Sequence, residues 1–299
     1  MEKKIIFLGT SSIYPSKERN HPSVYLQFRD EKILFDCGEG TQRQLAFAGI
    51  LPTRITKIFL THWHGDHALG MGGLLQSMGM SQRTKDLHIY GPKGTRENIK
   101  ALNKIFGFEE QFKIYVEEVQ DEIAYENNFF KVESMKVKHR IPCLAYSFIE
   151  KDTRKMNMDF LEKYGLKQNK VLGKLQKGED IEWKGETIKA KDATTLTKGA
   201  KITYITDTCY FKKLEDFARD SDLLICEATY ASDNEDKANS YTHMTAKNVG
   251  LLAKNANVKQ LIVTHFSHRY KKPTKIVKEI KETFKKVKAA EDFMEILIG

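Results

Sequence analysis

The sequence predicts an α/β fold in which sheets and helices are layered in one domain. Three observations carry that expectation. Short apolar, β-rich runs recur along the chain, helical patterns lie between several of them, and no low-complexity linker divides the 299 residues. The first half holds the runs "KIIFLG" (4–9), "SVYLQF" (23–28), "KILFDC" (32–37), "KIFLTH" (57–62), "LHIYGP" (87–92), "FKIYVEEV" (112–119), "FKVESMKVKH" (130–139) and "LAYSFIE" (144–150). The second half adds "KITYITD" (201–207), "DLLICEAT" (222–229), "QLIVTH" (260–265) and "DFMEIL" (292–297). Helical periodicity appears in "TQRQLAFAG", "TRENIKALNKIFG", "FKKLEDFARD", "TAKNVGLLAKNA" and "PTKIVKEIKETFKKV". The opening part is therefore strand-rich with hairpins, and the closing third alternates strand with helix. "LLQSMGM" (74–80) reads as an apolar helix face, for the core in preference to a subunit interface.

Residues about 152–198 break this rhythm. They are polar and lysine-rich, lack a core pattern, and show only weak helical signals in "MDFLEKYGL" and "VLGKLQKGE". Set between two clear strands, the segment is expected to be an insertion projecting from a single domain spanning 1–299 and serving in binding. Residues 151–201 carry 13 basic and 8 acidic side chains, and 269–286 carry 8 and 2, so the overall charge of +9 is concentrated in two places. Such patches lower the cost of bringing phosphates close. Cys37, Cys143, Cys209 and Cys226 form no CxxC pair, which excludes a cysteine zinc knuckle; Cys37 and Cys226 end apolar runs as small core residues. The start, "MEKKIIFLGT", reads as a first strand rather than a signal peptide, and no run is long enough to cross a membrane. A reducing, cytoplasmic setting is the expectation.

The chemistry concentrates in "FLTHWHGDHALG" (59–70), which spends three of 9 histidines within six positions. His62, His64, Asp66 and His67 form H-x-H-x-D-H directly after an apolar run. Imidazole suits zinc or iron, and a carboxylate can complete or bridge such a site. The spacing is not that of H-E-x-x-H on a helix. A turn permitted by Gly65 would present His62 and His64, with Asp66 as a helix N-cap and His67 in the first turn. Three further apolar runs finish on a ligand residue, at His139, Asp207 and His265. Strand ends covered by helices share one rim, so seven ligands would meet there, enough for two metal ions.

These residues resemble the metallo-β-lactamase fold, and within it the ribonuclease Z family. The resemblance runs through "FLGTSSIYPSKERNHPS" (7–23), "LFDCGEGTQRQL" (34–45), "THWHGDH" (61–67), "YITDT" (204–208), "CEATY" (226–230), "HMTA" (243–246) and "THFSHRY" (264–270). The metal motif by itself marks only the superfamily; the acidic glycine loop, "HMTA" and "THFSHRY" point to the family. The resemblance implies an αββα sandwich and a zinc-dependent endoribonuclease that removes the 3′ trailer from precursor tRNA by two-metal phosphodiester hydrolysis. It implies two Zn2+ per subunit, with Mn2+ as a substitute. His62, His64, His139 and Asp207 would hold one ion, and Asp66, His67, Asp207 and His265 the other. Asp66 would help orient or deprotonate the attacking water, His243 would protonate the departing ribose oxygen, and Glu227 would fix the tautomer of His243. Asp36 would orient the ligand loop.

The same resemblance implies RNA contacts from Lys17 and Arg19 in "PSKERN" and from Arg269 and Tyr270 in "FSHRY", an RNA-gripping arm, and a homodimer. The family's Gly-Pro motif near the arm tip is absent; "GLKQNKVLGKLQKGE" (165–179) has lysines and a glutamine there, so charge is expected to replace rigidity. His21 and His268 are expected to be surface histidines and His88 a strand residue. The main rival reading is a small-molecule phosphodiesterase or lactonase of the same fold, which explains the ligands but not the basic arm.

Overall fold

A computed structural model describes residues 2–107, 111–167 and 169–299. The strands are, in order, β1 (Lys3–Gly9), β2 (Ser23–Phe28), β3 (Glu31–Phe35), β4 (Lys57–Phe59), β5 (Leu87–Gly91), β6 (Ile114–Glu118), β7 (Glu122–Glu126), β8 (Phe130–Lys136) and β9 (Leu144–Glu150). Next come β10 (Thr153–Met156), β11 (Ile181–Trp183), β12 (Glu186–Ile188), β13 (Thr194–Thr197), β14 (Lys201–Ile205), β15 (Leu223–Glu227), β16 (Leu261–Thr264), β17 (Val287–Ala289) and β18 (Glu295–Ile298). Two seven-stranded sheets result, with orders β18-β1-β2-β3-β4-β5-β6 and β17-β16-β15-β14-β9-β8-β7.

The helices cover the outer faces. α1 (Thr41–Phe47), α2 (Gly65–Ala68), α3 (Gly70–Met80) and α4 (Thr95–Phe106) belong to the first sheet. Their Leu45, Leu74, Leu75, Met78 and Ile99 pack on Ile6, Leu34, Ile58 and Ile89. Three short helices, α5 (Met158–Glu162), α6 (Leu172–Gln176) and α7 (Ala190–Ala193), lie in the inserted segment. On the second sheet sit α8 (Lys213–Ala218), α9 (Glu235–Tyr241), α10 (Ala246–Asn255) and α11 (Thr274–Thr283), with Leu214, Val249, Leu252, Ile276 and Ile280 against Ile205, Leu224 and Val263. Between the sheets, Phe28, Phe35, Phe59, Phe130, Tyr146, Phe148 and Tyr204 form the central core. The layers are therefore helix, sheet, sheet, helix, the αββα arrangement. Its central strands are buried on both faces, which is why they read as continuous apolar runs rather than alternating ones.

One buried ion pair ties the two sheets. Lys3 on β1 donates to Glu150 on β9 at 2.5 Å, with side chains only 2% and 9% exposed. Removing one partner of such a pair leaves a buried charge uncompensated. Lys3→Ala is therefore expected to cost about 3 kcal/mol, read as a lower denaturant midpoint at unchanged slope.

Parallel pairing runs through β3-β4-β5-β6 and β14-β15-β16-β17, each step crossing by way of helix. The carboxyl ends of β3, β4, β8, β14, β15 and β16 thus open at one rim. Two loops close that rim across the sheets. Ser11 pairs with Phe266 in an isolated parallel bridge, Ser12 N donates to Phe266 O, and Phe266 N donates to Thr10 O.

Several expectations need correction. The segment between β9 and β14 does have a core of its own: Leu161, Leu166, Leu175, Ile181, Ile188 and Ala193 bury one another, framed by the pairs β10-β13 and β11-β12. Its apolar residues are spaced too irregularly for one helix or strand, because several three- to five-residue elements share them. Gln168, in the stretch that lacks the Gly-Pro motif, lies outside the described residues. The tail of "PTKIVKEIKETFKKV" is not helix: α11 stops at Thr283, and Val287 begins β17. His21 is not at the surface but 5% exposed, its Nε2 lying 3.1 Å from Ile13 O. His268 is exposed, against Tyr14, and His88 lies in β5 stacked on Tyr115. In "LLQSMGM", Leu74, Leu75 and Met78 are fully buried, whereas Met80 is 84% exposed.

Candidate metal centre

The ligand loop begins where β4 runs out at Phe59. The helix α2 starts at Gly65, with His64 as its N-cap residue. Asp66 therefore lies inside the first turn rather than at the cap, and its carboxylate is free to face the rim. Gly65 is outside the left-handed region, so its conformational freedom is not what makes the turn. The glycines that matter lie opposite. A Cβ on Gly38 would come within 2.2 Å of Asp66 O, and one on Gly70 within 2.1 Å of Gly38 O. The "CGEG" loop thus packs backbone to backbone on the ligand helix, with Cys37 N donating to His67 O and Gly70 N to Cys37 O.

Asp36, Asp207 and His265 sit just past β3, β14 and β16 with φ of 61°, 47° and 60°. Left-handed backbone at non-glycine residues is sparsely populated, and three cases at one rim show a site held by its surroundings.

All seven candidate ligands converge. Ligand atoms of His62, His64, His139 and Asp207 lie within 4.8 Å of one another, as do those of Asp66, His67 and His265. Asp207 faces both groups. Its Oδ2 is 3.6 Å from His62 Nε2 and 3.8 Å from His139 Nε2, while Oδ1 is 3.3 Å from His67 Nε2 and 3.2 Å from His265 Nε2. Asp66 Oδ2 completes the second group, 3.5 Å from His67 and 3.4 Å from His265. Ring nitrogens also face one another: His62 Nε2 and His139 Nε2 lie 3.0 and 3.1 Å from His64 Nδ1, and His67 Nε2 lies 3.3 Å from His265 Nε2. Ring nitrogens at these distances share either a proton or a cation, and the donor set of imidazole with carboxylate suits a divalent metal.

The far side of each ring explains which nitrogen faces in. Asp36, fully buried, accepts from Thr61 N and Oγ1, from Tyr204 Oη at 3.0 Å, and from His67 Nδ1 at 2.8 Å. Thr61 donates its hydroxyl proton to Asp36, Thr242 to Tyr241 O, and Thr229 to Glu227. Each hydroxyl is then left to accept from a ring, and each lies beside one Nδ1: Thr61 beside His62 at 3.0 Å, Thr242 beside His139 at 2.8 Å, Thr229 beside His265 at 2.9 Å. Three threonines therefore fix the tautomer that leaves Nε2 bare toward the centre. Sequence reasoning missed them, and Tyr204 too, because a threonine beside a histidine carries no spacing signal. Thr242→Val, which keeps the shape and removes the hydroxyl, is expected to weaken metal affinity about 10–100-fold in a chelator competition titration.

The charge states agree with ligand duty. Burial holds His62 well below the ordinary imidazole value, and also lowers His64 and His139. Burial alone would raise Asp207 and Asp66, but the surrounding imidazoles overcome it and hold both carboxylates below their usual range. His67 goes the other way: against the effect of burial, Asp207, Asp66 and Asp36 raise it well above normal. A metal ion would displace the proton that His67 Nε2 then carries.

His243 stands beside this cluster. Its Nδ1 lies 3.0–3.1 Å from both oxygens of the fully buried Glu227, which also accepts from Thr208 N. Burial opposes protonation, but Glu227 outweighs it and raises His243 to about 9. His243 also falls within 4.8 Å of Asp207 and His265 in ligand-atom terms. The cavity over these groups is about 560 Å³, with Tyr14, Arg140, Tyr241, His268 and Arg269 on its walls.

The four residues expected at RNA are placed differently from one another. Lys17 and Arg269 are exposed. Arg19 is half-buried, donating to Thr10 Oγ1 at 2.6 Å and Ala290 O at 2.8 Å, with its guanidinium over the Phe266 ring. Tyr270 accepts from Ala231 N at 2.9 Å, and its ring packs on the outer core of the second sheet. These two brace the rim from inside. Cys37 and Cys226 are buried, and burial pushes the Cys37 thiol up to about 12. Among the described residues no helix is long and apolar enough to cross a membrane.

Comparison with known proteins gives a consistent picture. The family described as "Anti-Pycsar protein Apyc1" matches residues 3–172, and "Beta-lactamase superfamily domain" matches residues 183–266. The chain is 43% identical to ribonuclease Z of Thermococcus gammatolerans, over 89% of this chain and 85% of that protein. It is 40% identical to ribonuclease Z of Methanothermobacter thermautotrophicus, over 98% of this chain and 96% of that protein. Among solved structures, human tRNase Z, short form, superposes with a TM-score of 0.73 at 29% identity, covering 98% of both chains. The metallo-β-lactamase fold protein YhfI of Bacillus subtilis superposes with a TM-score of 0.74 at 19% identity, covering 99% of both, a likeness of fold.

Proposed function

The chain belongs to the ribonuclease Z family of the β-lactamase superfamily, and from that premise we propose that it is an endoribonuclease removing the 3′ trailer from precursor tRNA. The observation that carries this reading to a mechanism is Asp207, whose two oxygens face two separate ligand groups. His62, His64, His139 and Asp207 would hold one zinc and Asp66, His67, His265 and Asp207 a second, with manganese as an alternative occupant. Ions bound there supply a Lewis acid for phosphate oxygens and lower the pKa of water toward neutrality.

The rest falls to the chain's own residues. Asp66, at the cavity edge, orients the attacking water and takes up the proton it loses. Water adds to phosphorus as the bond to the ribose 3′-oxygen breaks. His243, held protonated by Glu227, gives its Nε2 proton to that departing oxygen. The products are a tRNA 3′-hydroxyl and a trailer 5′-phosphate. Asp36 and the three threonines hold the imidazoles at the required tautomer and angle.

Lys17 and Arg269 contact the RNA near the cut, while Arg19 and Tyr270 keep their loops in position. The lysine-rich arm grips the body of the tRNA. The active form is a homodimer in the cytoplasm. Exposed Phe47, Leu51, Leu69, Met80, Ile105 and Phe106, in or beside the helices α1, α3 and α4, support a dimer contact on that side.

A substrate panel tests the function. Precursor tRNA should be cut far faster than a small phosphodiester or a lactone. Preference for either small molecule would move the protein to the rival hydrolase reading.

A further inference from the structure

A second concavity, of about 930 Å³, opens beside the metal cavity between α11 and β17. Lys271, Lys272, Lys278, Lys281 and Lys288 line it over a floor that includes Val277 and Val287. Among the described residues none of these five ammonium groups makes a hydrogen bond or ion pair. Lys275 on the same helix does pair, with Asp233 at 2.6 Å, and is not part of the groove. The acidic groups there are Glu18, Glu291 and Asp292. The first accepts from Ser16, and the last accepts from Thr10, Asn20 and Gln44. The lining thus carries five lysines and Arg19 against three carboxylates, an excess of positive charge that favours an anion.

The same two loops line both the groove and the reaction site. Ser12, Ile13 and Tyr14 line the metal cavity, and Glu18 and Arg19 of the same loop line the groove. Ser267, His268 and Arg269 line the cavity, and Lys271 and Lys272 follow into the groove. The bridge between Ser11 and Phe266 holds the two loops side by side. A strand leaving the metal cavity along these loops would run toward the groove.

We propose that this groove binds the single-stranded trailer downstream of the cut, its lysines each taking a backbone phosphate. The inference rests on the tRNA 3′-processing reading. A concavity of this volume encloses something the size of a drug molecule, hence a few nucleotides of single strand and not a duplex. On the mature side of the cut the RNA soon becomes the acceptor-stem duplex, so the trailer is the strand that fits.

The test compares wild type with Lys278→Ala/Lys281→Ala/Lys288→Ala, and with the matching triple arginine variant, all as metal-loaded protein. Binding of a 2′-O-methylated single-stranded RNA of about 12 nucleotides is followed by fluorescence anisotropy across a salt series. The alanine variant should bind about tenfold more weakly, its log–log salt slope should be shallower by about 2, and the arginine variant should match wild type. Cleavage should follow: kcat/KM falls for a precursor with a long trailer and stays within about twofold for one with a single trailer nucleotide. An unchanged dissociation constant would overturn the proposal, as would an equal loss on both precursors. If wild type cuts neither precursor, the tRNA reading fails, and the oligonucleotide titration still decides whether the groove takes RNA.

Discussion

Replacing Asp207 with alanine is expected to reduce cleavage by about 10³-fold or more and to lower the bound metal, while the protein remains folded. Its side chain faces both ligand groups: one oxygen lies toward His62 and His139, the other toward His67 and His265. Metal ions contribute several kcal/mol of transition-state stabilisation, and each 1.36 kcal/mol is a factor of ten in rate. Elemental analysis beside the rate measurement separates loss of metal from loss of fold, which circular dichroism reports. A variant that keeps both its metal content and activity within tenfold of wild type would show that Asp207 does not join the two groups.

The second large effect is at His243. His243→Ala should lower kcat about 10²–10⁴-fold with metal content unchanged, the range for removing a general acid. Glu227→Gln should fall between the variant and wild type, because the glutamine amide still contacts Nδ1 without holding the imidazolium. Proximity to Asp207 and His265 gives His243 a second conceivable role as a ligand, and the leaving group distinguishes the two. A substrate with sulfur in place of the scissile 3′-oxygen departs without needing a proton. If His243 is the acid, that substrate restores most of the rate of His243→Ala. If metal is lost and the sulfur substrate gives no rescue, His243 is a ligand.

Much of this site was legible in the sequence because metal ligands are few in type and cluster. His62, His64, Asp66 and His67 sit within six positions, and His139, Asp207 and His265 each follow an apolar run that the layered fold turns into a strand ending at one rim. The finer register was not legible. The strand β4 ends three residues before His62, and α2 begins one residue before Asp66, so the aspartate faces the cavity instead of capping the helix. Asp36 and Glu227, which act through histidines, were legible by resemblance, but the threonines left no mark. Thr61, Thr229 and Thr242 matter because their hydroxyl protons are already committed elsewhere, a property of three-dimensional neighbours. Arg19 and Tyr270 read as surface contacts because nothing in "PSKERN" or "FSHRY" announces Ala290 or Ala231 as partners. The small core of the inserted segment stayed hidden for a similar reason. Leu161, Leu175 and Ile181 come from separate short elements, so no single period links them.

The most direct test of the account is cleavage of a precursor tRNA carrying a 3′ trailer, mapped to the nucleotide. It should be run with native protein, with protein stripped by a chelator, and with stripped protein resupplied with zinc or manganese. The account predicts one cut at the junction between the mature tRNA and the trailer, leaving a 3′-hydroxyl and a 5′-phosphate, lost on stripping and regained with metal. A cut that survives stripping, or products with a 2′,3′-cyclic phosphate, would contradict it, since neither is compatible with water attack at the His/Asp centre.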